Sequence, residues 1–159
     1  MINSNWDRWI TAGINVHFKN APSITVKVIL EGQPLDVPKE DRVEIRVDGP
    51  FYRRKYKSDP YMVDVEINVL ITTVIELANT GNIYRQKTLV GIVTALFTTI
   101  PIYKCGNGPD DDDSLLGCLK LKTDGSDPLE ARNFGQIHQD LNIQQGIVEG
   151  HYQMEIEGE

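Results

Sequence analysis

The sequence has few of the residues that most often carry chemistry, with two cysteines and three histidines among 159 residues. No C-x-x-C or H-x-x-x-H pattern places these side chains at the spacing of metal ligands. We therefore predict that Cys105 and Cys118 are free thiols, that the chain holds no metal, and that no disulfide framework supports the fold. For His17, His138 and His151 we predict structural roles.

Motifs for nucleophilic and phosphate chemistry are also missing. The sequence contains no G-x-S-x-G elbow, no P-loop and no G-x-G-x-x-G fingerprint, and its serines fall in a predicted helix cap, a strand start and turns. These absences favour a structural or binding protein without a cofactor over an enzyme. An enzyme whose site is assembled from distant residues stays an open alternative.

No apolar run comes near the roughly 20 residues that span a bilayer, so we expect no membrane partner. Residues 1–5 lack the basic start and apolar stretch of a signal peptide, which predicts synthesis in the cytoplasm. A hydrophobic fraction of 40% and a charged fraction of 25% describe an ordinary folded chain, and its length predicts one domain over residues 1–159.

The most informative feature that is present is the stretch 62–72, in which apolar and polar side chains alternate. Apolar residues occupy positions 63, 65, 67, 69 and 71, and polar residues occupy positions 64, 66, 68 and 72. A period of two predicts a long strand with one face in a core and the other toward water or a partner. Asp64 and Glu66 then lie about 7 Å apart on the polar face, but no His, Cys or Ser joins them in a reactive set.

Other segments complete an α+β pattern. Ser4 and Asp7 form a capping box that opens a predicted helix over residues 4–19. Asp48-Gly49-Pro50 is expected to end a strand. The remaining predicted elements are strands at 24–30 and 43–47 with a long loop at 31–41 between them, a helix at 84–98, strands at 100–105 and 115–121, and one or two strands from Phe134 onward.

One cluster combines basic and aromatic side chains. Arg53, Arg54, Lys55 and Lys57 lie among three aromatic residues within the segment 51–57. Such a segment can stack bases and hold phosphates, or it can form a charged protein contact or a solvated turn. The first of these possibilities gives an alternative function for the chain, a small nucleic-acid-binding module.

Charge is unevenly distributed along the chain. Residues 1–104 hold 11 acidic and 13 basic residues, whereas residues 105–159 hold 12 acidic and 3 basic residues. This lack of a concentrated basic footprint disfavours tight wrapping of nucleic acid. The consecutive residues Asp110, Asp111, Asp112 and Asp113 differ from the alternating ligands of a calcium loop. They predict a solvated acidic loop, with weak cation binding as the open alternative.

The predicted elements follow one another in a defined order. That order is set by the alternating pattern at 63–71, the helix at 84–98, the strands at 100–105 and 115–121, and the final run 152–156. In that order the chain resembles the tail-terminator and neck proteins of tailed bacteriophages. The resemblance implies a mixed, mainly antiparallel sheet with two helices packed on one face and a protruding long loop or hairpin.

The resemblance also implies a function. The protein would be a structural virion protein of the phage neck or tail, made in the host cytoplasm. It would form a ring, commonly a hexamer, that joins the tail tube to the head completion proteins and lets DNA pass without tight binding. Under this hypothesis residues 110–113 line a lumen or a ring face, where they repel phosphate. Arg53, Arg54, Lys55 and Lys57 would meet acids of a neighbouring subunit, as in the head-to-tail contacts that close rings.

Overall fold

The computed structural model of the protein describes residues 4–30, 41–74, 82–104, 115–122, 127–136 and 143–156. The elements in chain order are α1 Trp6–Lys19, β1 Lys27–Ile29, β2 Arg42–Arg53, β3 Tyr61–Val74, α2 Asn82–Ala95, β4 Ile100–Tyr103, β5 Leu115–Leu121, β6 Leu129–Gln136 and β7 Ile143–Ile156. The long loop predicted at 31–41 lies almost wholly outside the described residues, as do Asp110, Asp111, Asp112 and Asp113.

The strands form one curled sheet of seven strands in the order β1-β2-β3-β7-β5-β4, with β6 also paired to β7. Among the described strands, β1 and β2 pair in parallel, and every other pair is antiparallel. The predicted α+β class with a mixed, mainly antiparallel sheet is therefore confirmed. The longest pairing joins β3 to β7, and it confirms the strand that the alternation at 62–72 predicts.

Both helices pack on one face of this sheet, as predicted. The odd-numbered residues of β3 from Val63 to Ile71 are at most 2% exposed and share one hydrophobic core with both helices. Phe18 of α1 and Tyr152 of β7 both pack against Phe97, which follows α2, with ring centroids 5.4 and 6.2 Å from that of Phe97. We call this the helix-facing side of the sheet and the opposite side its open face.

Strands β5 and β6 behave as one interrupted strand that runs along β7. Leu121 pairs with Tyr152, and Leu129 pairs with Gly150. Between these two rungs, His151 accepts a hydrogen bond from the amide of Lys122 and donates one to the carbonyl of residue 128. The chain therefore leaves its pairing with β7 after Lys122 and resumes it at residue 128, and both ends of this excursion are hydrogen-bonded to His151.

The expectation that Asp48-Gly49-Pro50 ends the second strand is wrong. Asp48 pairs with Glu66 and Phe51 pairs with Asp64, so residues 49 and 50 stand opposite one residue of β3. This is a β-bulge, a site that tolerates proline because the ladder needs no N–H there. Gly49 has a φ of +106°, and a Cβ at this position would lie 3.0 Å from the carbonyl oxygen of Asp64. Glycine is therefore favoured at this position.

The bulge reverses the direction of the side chains that follow it. Before the bulge, Val43 and Ile45 point into the core, so odd-numbered residues face the helices. After it, Tyr52 faces α1, while Phe51 and Arg53 lie on the open face. The same sequence running as a regular strand, with no bulge, would have the opposite arrangement, because side chains alternate with a period of two.

Helix α1 begins later than predicted, and its capping box does not form. The first helical residue is Trp6, the N-cap position is Asn5, and no side-chain capping hydrogen bond is made there. The carboxylate of Asp7 instead accepts a hydrogen bond from the hydroxyl of Tyr52. Helix α2 and strands β4 and β5 lie where the sequence places them, whereas β6 begins well before Phe134.

Candidate interaction site

The turn between β2 and β3 carries the predicted basic cluster, and we call residues 53–57 the basic tip. All five residues of the tip are exposed. The turn is closed by Asp59, whose carboxylate accepts from the amide of Tyr56 at 3.0 Å and whose own amide donates to the carbonyl of Tyr56 at 3.0 Å. Arg54 donates to the carbonyl of Lys57 at 3.1 Å, so the turn is ordered by its own hydrogen bonds.

The aromatic side chains around the basic tip have different environments. Phe51 and Tyr56 are 57% and 62% exposed, and Lys55 lies 5.5 Å from the ring centroid of Tyr56. Arg54 stacks over the ring of Tyr61 at 4.4 Å from its centroid. Tyr52 instead faces α1, and burial together with the hydrogen bond to Asp7 raises the pKa of its hydroxyl. Tyr52 is therefore unavailable for base stacking.

Asp64 connects three strands on the open face. Its carboxylate lies 2.6 Å from Arg53 Nε of β2 and 3.0 Å from Lys122 Nζ, which follows β5. Burial alone would raise the pKa of Asp64, but the hydrogen bonds and charges of these two cations outweigh burial and hold that pKa below its usual range. Asp64 and Glu66 do share one face of β3, as predicted. The carboxylate of Asp64, however, forms ion pairs with Arg53 and Lys122.

Two depressions open on this face of the sheet. One, of about 500 Å³, lies beside the basic tip and is lined by Arg53, Arg54, Lys55, Asp59, Pro60, Met62 and Glu155. The other, of about 310 Å³, lies over the middle of β2, β3 and β7 and is lined by Arg46, Glu66, Asn68, Leu70, Ile147 and Glu149. Neither has the convergent reactive groups of a catalytic centre, and both combine charged with apolar surface as protein contacts do.

The strand register places acidic side chains opposite one another across the open face. Asp48 stands opposite Glu66, and Glu130 stands opposite Glu149. We call these four residues the acidic row, because they lie on the adjacent strands β2, β3, β7 and β6. Sequence reasoning missed this row, since its members come from four segments and meet only through the strand register.

Of the remaining candidate residues, Cys105 and His138 lie outside the described residues, and His17 and Cys118 have structural positions. His17 donates a hydrogen bond from Nε2 to the carbonyl of Leu96 at 2.8 Å, which ties α1 to the end of α2 and confirms a structural role. Cys118 is a half-buried free thiol. Over the part of the chain that the structure describes, no group of three or more His, Cys, Asp and Glu side chains could hold a metal ion. No helix there is long and apolar enough to cross a membrane.

Comparison with known proteins adds evidence about the fold alone. No family model matches the chain, and no curated protein matches it. One solved structure, whose name states no function, is similar over 96% of this chain and 98% of its own length, with a TM-score of 0.58 and 10% identity. At that identity the likeness shows a shared arrangement of helices and strands and no shared activity.

Proposed function

We propose that the chain is a structural subunit of the phage neck or tail, a ring-forming tail terminator that joins the tail tube to head completion proteins. The sheet with two helices on one face and the β2–β3 hairpin is the architecture that the resemblance implies. The proposed partners are further copies of the chain, six being the number expected from the resemblance, and the adjoining tail or neck proteins. The proposed location is the virion.

The observation that carries the proposal is the exposed basic tip at the end of the β2–β3 hairpin. Among the residues that the structure describes, no carboxylate forms an ion pair with Arg54, Lys55 or Lys57. Three cations held close together in an ordered turn repel one another, and a partner that supplies carboxylates relieves that repulsion. A head-to-tail contact between unlike surfaces is also the geometry that closes a ring.

Sedimentation velocity on the full chain tests this proposal. We expect a discrete oligomer for the wild type, and dissociation of that oligomer by the double substitution Arg54→Glu and Lys55→Glu. The matched control is Lys19→Glu with Lys87→Glu, which changes the charge equally at exposed positions on the two helices. A wild type that is monomeric at all concentrations, or a tip variant that assembles as well as the control, contradicts the proposal.

The alternative function, a nucleic-acid-binding module, is favoured by one observation. Phe51 and Tyr56 expose more than half of their surface next to the cations of the tip, as stacking platforms do. On this alternative, binding of a single-stranded oligonucleotide weakens steeply with salt and is lost in the double substitution Phe51→Ala and Tyr56→Ala. Binding that is absent at low salt rejects the alternative and leaves the ring proposal standing.

A further inference from the structure

The acidic row is electrostatically unfavourable within a single copy of the chain. Like charges directly opposite one another on neighbouring strands destabilise a sheet. The register sets Asp48 against Glu66 and Glu130 against Glu149, so this penalty occurs twice on one face. A fold that keeps two such pairs side by side has a surface suited to an external cation.

The described part of the chain neutralises the row in part, because the charge of Arg132 acts on Glu149 as well as on Glu130. Glu130 pairs with Arg132 at 2.6 Å, but Asp48, Glu66 and Glu149 form no ion pair with any described residue. Arg46 is the one cation that lines the central depression beside Glu66 and Glu149. Among the same residues, no group of three or more His, Cys, Asp and Glu side chains is placed to hold a metal ion, so the row is better suited to cationic side chains of a protein.

A second, independent feature of the same depression calls for a hydrogen-bond donor. The side-chain oxygen of Asn68 is buried and has no hydrogen-bond partner among the residues that the structure describes. Asn68 lies between Arg46 and Glu149 in the register and lines the depression. A buried polar atom left without a partner destabilises the fold, because the atom has lost its hydrogen bonds to water. A guanidinium or ammonium group from outside would supply the missing donor and the missing positive charge together.

We infer that the acidic row and its depression form the docking surface for the basic tip of a second copy of this chain. This inference rests on the proposed function and names the contact that builds the ring. The tip and the row are complementary in charge, since three cations of the tip have no carboxylate partner among the described residues. The tip and the row are also far apart within one molecule. Met62 pairs with Arg53 at the base of the tip, and Glu66 of the row lies about 13 Å further along β3.

That separation explains why the contact requires another copy. None of the residues 54–57 lines the central depression of its own chain. A patch that fits a different patch on an identical neighbour makes a head-to-tail interface, and repetition of that interface closes a ring when the rotation between copies allows it. The depression also contains Leu70 and Ile147, which can pack against the side-chain stems of Arg and Lys.

A charge-swap experiment tests the inference. Full-length wild type, Glu66→Lys with Glu149→Lys, Arg54→Glu with Lys55→Glu, and the combination of all four substitutions are compared by sedimentation velocity over a range of concentrations. We expect each double variant to weaken self-association by more than about tenfold, and the combination to recover most of that loss because the charges are exchanged. Asp127→Lys, an exposed acid outside the row, is the control.

The outcomes separate the inference from the proposed function. If the wild type assembles and the Glu66→Lys, Glu149→Lys variant assembles equally well, the docking surface is wrong while the ring proposal stands. If both double variants are folded monomers and the combination is monomeric too, the two surfaces do not contact each other. A wild type that never self-associates overturns both. Circular dichroism and thermal melting of every variant confirm that a loss of assembly is not a loss of folding.

Discussion

The two sides of strand β3 are formed by alternating residues of one segment, and they differ in burial and in charge. Its odd-numbered residues from Val63 to Ile71 are apolar and buried beneath the helices, whereas Asp64, Glu66 and Asn68 lie on the open face. The helix-facing side gains stability within one molecule by removing apolar surface from water. The open face contains like-charge pairs and a hydrogen-bond acceptor that has no donor among the described residues, and we propose that a second copy of the chain satisfies both.

The largest expected effect lies on the helix-facing side. Ile67 is 0% exposed, and Ile67→Ala should lower the free energy of unfolding by about 2–5 kcal/mol, because it removes buried methyl groups and leaves a cavity. Urea denaturation measures the change. Leu70→Ala, on the open face of the same strand, is the control and should have a clearly smaller effect. Equal losses for the two variants would remove the distinction between the two faces.

A second prediction concerns the close packing of α2 onto β7. A Cβ at Gly150 would collide with the ring of Phe97, so Gly150→Ala should destabilise the fold by about 1–3 kcal/mol. At Gly91, an exposed glycine of α2, a Cβ meets nothing. Gly91→Ala should therefore stabilise the helix by about 0.5–1 kcal/mol. Thermal melting measures both changes. A shift of the melting temperature in the same direction for both variants would contradict this account of the interface.

A third prediction concerns the ion pairs of Asp64. Because Arg53 and Lys122 lower the folded-state pKa of Asp64, its stabilising contribution is fully present above its unfolded-state pKa of about 3.9 and is lost as the pH falls through the lower folded value. Asp64→Asn should cost about 1 kcal/mol at pH 7, since Arg53 is largely exposed, and less at pH 3. A difference that grows as the pH falls would show that the pKa shift has the opposite sign.

The smallest expected effect is on the open face and has the opposite sign. Glu66→Gln removes one member of the Asp48–Glu66 pair, so it should raise the stability of the monomer by roughly 0.2–1 kcal/mol at pH 8. The measurement uses the Arg54→Glu, Lys55→Glu background, so that self-association does not contribute. Glu44→Gln is the matched control on the same face, and it should destabilise because Glu44 forms a buried ion pair with Arg42 at 2.9 Å.

Features that depend on local periodicity could be predicted from the sequence. Alternation alone places the strand at 62–72 and assigns Asp64 and Glu66 to its polar face, and a repeat of apolar residues at helical spacing places α2. These predictions are correct because a strand or helix long enough to bury one side must keep its period. The exposure of the basic residues 53–57 could likewise be predicted from composition, whereas the position of Tyr52 against α1 could not.

Features that depend on which strands meet could not be predicted. The parallel pairing of β1 with β2, and the return of the chain to β7 opposite His151, are set by contacts between distant segments. The bulge at Gly49 has the same residue signature as a turn, so local sequence favours a strand end there. The acidic row follows from the register of four strands, and a one-residue slip in any of them would disperse it.

The bulge in β2 governs which chemistry the hairpin offers to its surroundings. Two residues of β2 stand there opposite one residue of β3. As a result, odd-numbered residues face the helices before the bulge and the open face after it. If the same sequence ran without the bulge, the guanidinium of Arg53 would lie against α1 and the phenol of Tyr52 would be exposed. Deletion of one of the two bulge residues would instead leave both side chains where they are, because Phe51 would still stand opposite Asp64. The bulge thus accommodates one surplus residue in β2 while it keeps Arg53 on the open face of the hairpin.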